Sequence, residues 1–436
     1  MRRPLAAFFV LLACMNSYSR SDDWPQWMGP QRDNVWRETG LIDKFPPSGP
    51  TVVWRAKVAG GYSGPAVANG KVYVGDFVSP ADPKKETYER GKVDGTERVL
   101  CFDEATGKPI WTFEYPVRYT VSFPTGPRVT PTVSDGLVYF VGTEGRLSCL
   151  DAATGKVVWQ RDFQKDYGAK TPLWGFAGHP FIDDDKLICI VGGEGACVVA
   201  FDKKTGKEFW KSLNAAEPGY STPTMIEAAG QSQLLVFHAE SVNAIDPETG
   251  KRLWGVPIKA TNGAAIMSPV RDGDYLFAGA FHGVCKGMKL STDKPGAEVI
   301  WTGDKKSGVY PVNSQPFAEN GVMYANCQDG ELRCIELATG KRLWSTLDPV
   351  GGKASQCATV FLVKNDKRFV LFNDAGELIF AKLSPKSYEE IDRKKVIEPT
   401  ATAMGRDVVY SMPAFANKRM YVRNDKELIC VSLAKE

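Results

Sequence analysis

The stretch Cys101-Phe102-Asp103-Glu104-Ala105-Thr106-Gly107-Lys108-Pro109-Ile110-Trp111 decides the fold, because it recurs. The same apolar-x-Asp-x-x-Thr-Gly-Lys-x-x-Trp phrase returns from Asp151 to Trp159, from Asp202 to Trp210 and from Asp246 to Trp254. Glu336 replaces the aspartate in a copy that ends at Trp344, and a degenerate copy ends at Trp301. Successive tryptophans lie 48, 51, 44, 47 and 43 residues apart. A period in the forties with strand-like segments predicts one four-stranded propeller blade per repeat. Within the phrase, the aspartate bonds its own backbone and the glycine supplies the left-handed turn residue. The tryptophan then gives each blade one large aromatic at one register, as packing between neighbouring sheets requires.

A second phrase precedes each copy: proline, a short apolar segment, a polar turn, and an apolar strand. Pro65 to Tyr73 and Pro131 to Tyr139 carry it with Asn69-Gly70 and Asp135-Gly136 at the turn, a strong hairpin signal. Further copies start at Pro180, Pro223, Pro269, Pro316 and Pro413, and a weaker one near Cys357. That makes eight units, the last of which stops after its third strand. Thr51 to Val58, with Trp54, reads as a lone fourth strand at the other end of the chain. The expected fold is therefore all-β: an eight-bladed β-propeller of four-stranded antiparallel blades over 51–436. The N-terminal strand (about 51–58) completes the last blade and removes the sheet edges.

Arg2-Arg3 and the apolar run Leu5 to Leu12 read as a signal peptide over 1–20, too short to span a bilayer. Leu11-Leu12-Ala13-Cys14 resembles a bacterial lipobox, in which Cys14 would be lipidated; cleavage after Ser19 is the alternative. The expected localisation is exported: periplasmic, outer-membrane-anchored or secreted. Residues 21–50 form a Trp- and Pro-rich leader, expected to lie extended along the propeller with its tryptophans in grooves. The formal charge is +3. Nothing in that balance suggests nucleic acid or a charged membrane surface as a partner. Of the nine cysteines after Cys14, Cys101, Cys149, Cys334 and Cys430 share one repeat position, hence separate blades, and read as buried apolar residues. Hairpin bridges Cys189–Cys197 and Cys327–Cys334 remain open alternatives.

The two phrases resemble PQQ-like repeats of the quinoprotein alcohol dehydrogenase-like superfamily. The resemblance covers 51–436 and extends to Asp23-Trp24-Pro25-Gln26-Trp27 and to Tyr421-Val422-Arg423-Asn424-Asp425. These segments are similar to secreted propeller proteins common in planctomycetes. Two better understood groups share the superfamily, the PQQ-dependent alcohol dehydrogenases and the outer-membrane barrel-assembly lipoprotein. The dehydrogenases carry a vicinal Cys-Cys disulfide, and no two cysteines are adjacent here; nor does Cys-x-x-Cys-His occur. The lipoprotein matches in size, blade number and signal type.

The loops entering each blade share one face with the central funnel, where a site is expected. They carry Tyr62, Phe123, Arg128, Trp174, Phe176, His179, Tyr220, Met267, Tyr310, Asn313, Gln315, Gln356 and Tyr410. Aromatics with arginine dominate interface energies, so this set is read as a binding surface, against the plainer reading of a plug at the narrow end. His179, His238 and His282 fall on this face but at different strand ends, so ordinary hydrogen-bonded roles outweigh a zinc site. The turn carboxylates read as structural, and Asp183-Asp184-Asp185 as a solvated turn. A polar insertion, 78–97, reads as a long loop. The expected function is a non-catalytic binding or assembly scaffold of the cell envelope. It would be monomeric, hold an envelope protein or polypeptide segment, and need no cofactor. A PQQ- and Ca²⁺-dependent oxidoreductase and a carbohydrate-binding propeller are the alternatives.

Overall fold

The computed structural model describes residues 23–80, 89–281, 283–304 and 307–435. The signal segment with Cys14, as well as His282 and 81–88 of the insertion, lies outside the described residues. Among the described residues, eight four-stranded antiparallel sheets form the eight blades. Each innermost strand starts directly after its phrase proline where one is present. Ala66–Ala68 follows Pro65, Thr132–Ser134 follows Pro131, and Ala414–Ala416 follows Pro413. The last blade is built from both chain ends. Val52–Lys57 pairs antiparallel with Glu427–Ser432 as its outermost strand, with Trp54 opposite Cys430.

The repeat phrase explains how neighbouring blades lock. Asp103 Oδ1 accepts from the Thr106 N–H (2.9 Å) and hydroxyl (2.6 Å), and Asp151 and Asp202 repeat the arrangement. These carboxylates are therefore turn-formers. In five blades the tryptophan donates its indole N–H to the carbonyl just past the turn carboxylate of the next blade, whereas Trp254 of the fourth blade donates to Gln233 Oε1 in its own sheet. Trp54 reaches Glu104, Trp111 reaches Ala152, Trp159 reaches Lys203, Trp210 reaches Pro247 and Trp301 reaches Leu337, at 2.7–3.2 Å. Its ring lies on the turn glycine. A Cβ built on Gly155, whose φ is +71°, would come within 2.6 Å of the Trp111 ring. Glycine is needed there twice, for the left-handed backbone and for the close ring.

The junction between the seventh and eighth blades lacks both halves of this latch. In the seventh blade the register Phe380↔Asp392 followed by Ala381↔Glu390 reproduces Cys101↔Trp111 followed by Phe102↔Pro109, and puts Asp392 at the tryptophan position. The eighth blade has no connecting turn, because its outer strand comes from the N-terminus. The leader fills the gap. Ile42 N–H bonds Leu433 O (2.9 Å), Phe45 stacks on Phe380 (4.3 Å between centroids), and Phe45 N–H donates to Asp392 Oδ2 (2.7 Å). Donor and acceptor have changed sides relative to the junctions that carry the tryptophan bond.

The rest of the leader departs from the extended form expected. Residues 26–33 are turns, with Met28, Gly29, Arg32 and Asn34 at positive φ. The segment contacts innermost strands or their entries on opposite sides of the ring. Trp24 bridges Val67, Val133 N–H bonds Pro25 O, Arg32 bonds Pro180 O, and Lys364 N–H bonds Asn34 O. Trp24 and Trp36 are 2% exposed and pack on Phe415. The leader is thus a compact plug of the axial channel, because its apolar rings find there the burial that outer grooves would give only in part.

The motif around Arg423 closes the seam between the eighth and first blades. Arg423 is fully buried and donates to the carbonyls of Asn424, Gly75 and Ala59. Asp425 accepts from Gly61 N–H (3.0 Å), and Asp76 takes Arg98 bidentately. The insertion is also more ordered than expected. Lys71–Val78 and Val93–Asp103 pair up to Val78↔Thr96, so 93–97 is strand. Buried Glu97 there accepts from Tyr115, Tyr119 and the Thr143 N–H. All nine described cysteines are free and buried, so neither hairpin bridge forms.

Candidate functional site

The loops entering the blades converge on a cavity of about 410 Å³ at the funnel face. Ten of the twelve aromatic, amide, arginine and histidine positions expected there line it: Tyr62, Phe123, Arg128, Trp174, His179, Tyr220, Asn313, Gln315, Gln356 and Tyr410; Met267 lines it as well. Two do not. Phe176 packs edge-on against Phe163 inside the second and third blades, 3% exposed. Tyr310 is also turned into a blade core, with its hydroxyl on Asp304 O (2.5 Å). In both cases the ring is buried in the apolar core between two neighbouring blades.

Several lining groups are committed to structure. Arg128 donates to the carbonyls of Ser122, Phe123 and Gly126 and lies 5.1 Å from the Tyr62 ring, so it clamps its own loop. Gln315 bonds the Ser268 backbone with both ends of its amide. Arg406, on the hairpin Ala401–Ala403/Arg406–Val408, bonds Asp374 (2.6 Å), Ser355, Gln356 O and Tyr410. Burial raises the Asp374 pKa, and Arg406 opposes that rise. His179 accepts from Thr130 N–H through Nδ1 (3.0 Å) and stacks under Trp27 (4.7 Å). Burial, with Arg32 nearby, holds this imidazole down at about 3, so it is neutral at neutral pH.

Two features of the cavity escaped the sequence reading. Its floor is Trp27, supplied by the leader; part of its wall, Ala403 and Met404, comes from the unexpected hairpin. The lining is also two-sided. Tyr410, Tyr62, Phe123, Trp174 and Tyr220 come from the entries to the eighth, first, second, third and fourth blades. Asn262, Asn313 and Gln356, all exposed, come from the entries to the fifth, sixth and seventh. One half is aromatic, and the other carries the amides together with Phe281, Ile266, Met267 and Val312.

Among the described residues, none that lines the cavity is a carboxylate. Ca²⁺ sites draw on six to eight oxygens, carboxylates prominent among them, so this donor set does not fit the Ca²⁺–PQQ centre of the dehydrogenases. His238 is bound up with Glu240 N–H, Ser241 and Asn243, away from His179. Among the described residues no three His, Cys, Asp or Glu side chains gather as metal ligands. No helix among them is long and apolar enough to cross a membrane.

Comparison with known proteins agrees with this architecture. A family model described as outer membrane protein assembly factor BamB matches residues 95–309 and 286–436. The BamB of Shewanella oneidensis is 24% identical over 230 residues, which is 50% of this chain and 56% of that protein. A quinoprotein ethanol dehydrogenase of Pseudomonas aeruginosa is 30% identical over 152 residues, 29% of this chain and 22% of that protein. The chain thus spans less than two thirds of either relative. Among solved structures, BamB from Moraxella catarrhalis superposes with a TM-score of 0.59 at 14% identity, covering 88% of this chain and 99% of that one. Quinohemoprotein alcohol dehydrogenase from Comamonas testosteroni gives 0.59 at 15%, covering 96% and 81%. At such identities the superpositions show the fold alone.

Proposed function

The chain belongs to the family of outer membrane protein assembly factor BamB, and from that premise we propose that it is a non-catalytic binding scaffold of the cell envelope whose funnel holds a polypeptide segment of an envelope protein. The observation that carries this reading is the cavity's lining: it holds seven Phe, Tyr and Trp side chains and three exposed amides, and among the described residues no carboxylate lines it to serve as acid, base or metal ligand. The relatives named for outer-membrane protein assembly and the signal-like N-terminus support an exported, monomeric protein, anchored through Cys14 or free.

A photo-crosslinker at position 313 tests the reading in envelope extracts. It should capture a polypeptide partner, and Trp174→Ala with Asn262→Ala should abolish capture while circular dichroism stays unchanged. Lys156→Ala with Lys207→Ala, on the opposite face, should leave it intact. Capture that survives loss of Trp174 and Asn262 removes the funnel from the argument. The local likeness to a quinoprotein ethanol dehydrogenase keeps a second reading, a PQQ-dependent oxidoreductase. Calcium-dependent binding of PQQ at micromolar concentration, measured by titration calorimetry, would replace the scaffold reading with it.

A further inference from the structure

Resting on the reading of the funnel as a polypeptide site, we propose that it selects an uncharged segment: one aromatic or large apolar side chain enters the cup, and the flanking backbone bonds the exposed amides of Asn262, Asn313 and Gln356. The cavity, about 410 Å³, lies at the low end of the range for ligand pockets, enough for a side chain with adjoining backbone. An amide both donates and accepts, as does the extended backbone, so three exposed amides from consecutive blades suit a main-chain edge.

The charge argument decides which side chain enters. Aromatic walls alone would favour a cation. Here the Arg128 guanidinium already lies over Tyr62, and among the described residues no carboxylate lines the cup to offset the desolvation of a second cation. An anion fares no better. Arg128 is spent on three backbone carbonyls and Arg406 on Asp374, so neither is free to meet it without breaking partly buried bonds. A neutral seated side chain also makes the affinity insensitive to salt.

The structure supplies its own reporter. Cys357 lines the cup, 6% exposed, and the other eight described cysteines lie outside the cavity lining. An occupant should therefore slow maleimide labelling of Cys357, with Cys357→Ser as the blank. The probes are capped heptapeptides with one variable central residue (Phe, Leu, Lys or Glu) in a Ser/Thr/Gln frame. The Phe and Leu peptides should protect Cys357 and the Lys and Glu peptides should bind at least about tenfold more weakly, as burying an unpaired charge requires. Raising salt from about 50 to about 500 mM should change the Phe affinity less than about twofold. Asn313→Ala with Gln356→Ala should weaken the Phe and Leu peptides by about five- to tenfold without reordering them, as expected for two lost hydrogen bonds.

A Lys or Glu peptide that protects Cys357 as well as the Phe peptide overturns the proposal and leaves the funnel a polypeptide site. Peptides that bind without protecting Cys357 overturn it by placing the site elsewhere. Protection by neutral oligosaccharides and by none of the peptides overturns both the proposal and the polypeptide reading. If none of the peptides protects at millimolar concentration, the selectivity proposal falls. The crosslinking at position 313 then decides separately whether the polypeptide reading falls with it.

Discussion

Phe45→Ala tests whether the leader is a working part of the ring. Phe45 is 7% exposed, stacks on Phe380 at 4.3 Å, and sits where most other junctions have tryptophan against a turn. Truncating a buried phenylalanine costs about 3–5 kcal/mol. The main-chain bond from Phe45 to Asp392 survives the change, and so do the bonds of Ile42 to Leu433 and of Lys435 to Gly40. The expected loss is therefore at the lower end, about 3 kcal/mol. Urea unfolding followed by tryptophan fluorescence reads it as a lower midpoint. Trp159→Ala, which cuts the complete latch between the second and third blades, is the matched comparison. If Phe45 replaces a latch, the two variants fall within about 2 kcal/mol of each other. A Phe45→Ala midpoint within error of the parent, alongside a large loss for Trp159→Ala, refutes the reasoning and makes the leader a passenger on a ring that closes without it.

Three further outcomes follow from the same geometry. Gly155→Ala should cost clearly more than Gly136→Ala: both have positive φ, worth about 1–2 kcal/mol to an L-residue, but only Gly155 lies under a tryptophan ring. Equal losses in thermal unfolding would remove the ring contact from the argument. Arg423→Met should destabilise by about 3–5 kcal/mol, because it leaves the Asp425 carboxylate buried without its cation; a loss under about 1 kcal/mol would show that the seam does not need the charge. His179 titrates at about 3 in the folded chain and near 6.5 when unfolded, so the unfolded state binds more protons between those values. Its contribution is complete above pH 6.5 and is lost as pH falls. Going from pH 7 to 5 should cost up to about 2 kcal/mol, and His179→Gln should flatten that part of the pH–stability curve.

The blades were legible because each is a local pattern: the phrase proline, the Asn-Gly or Asp-Gly turn and the Thr-Gly-Lys-x-x-Trp ending each act within a few residues. Even the closure of the ring could be read, since a blade short of one strand and a lone strand bearing Trp54 complement each other. The leader was not legible. Its conformation depends on the shape of an axial channel that exists only once eight blades have assembled, and no periodicity in 23–50 encodes that shape. Phe176 and Tyr310 were misplaced for a related reason. Loop position fixes which face a residue starts from, while the side chain's direction follows from where it is buried, and for these two that is the apolar core between two neighbouring blades.

The leader joins these two lessons. It supplies the floor of the funnel through Trp27, stacked on His179, and the latch of the last junction through Phe45. Eighteen residues of one continuous segment separate these two contacts. A propeller whose outermost strand is added from the N-terminus leaves one junction without a turn, and the segment that precedes that strand is already positioned to cover it. Having covered it, the segment continues into the channel and sets how deep a ligand can go. The proposed recognition at the funnel and the closure of the ring therefore share one piece of chain. Substitutions at Phe45, remote from the cavity, should weaken funnel binding only to the extent that they release Trp27. A Phe45 variant with normal Cys357 protection but reduced stability would show that the plug holds its floor independently of the latch.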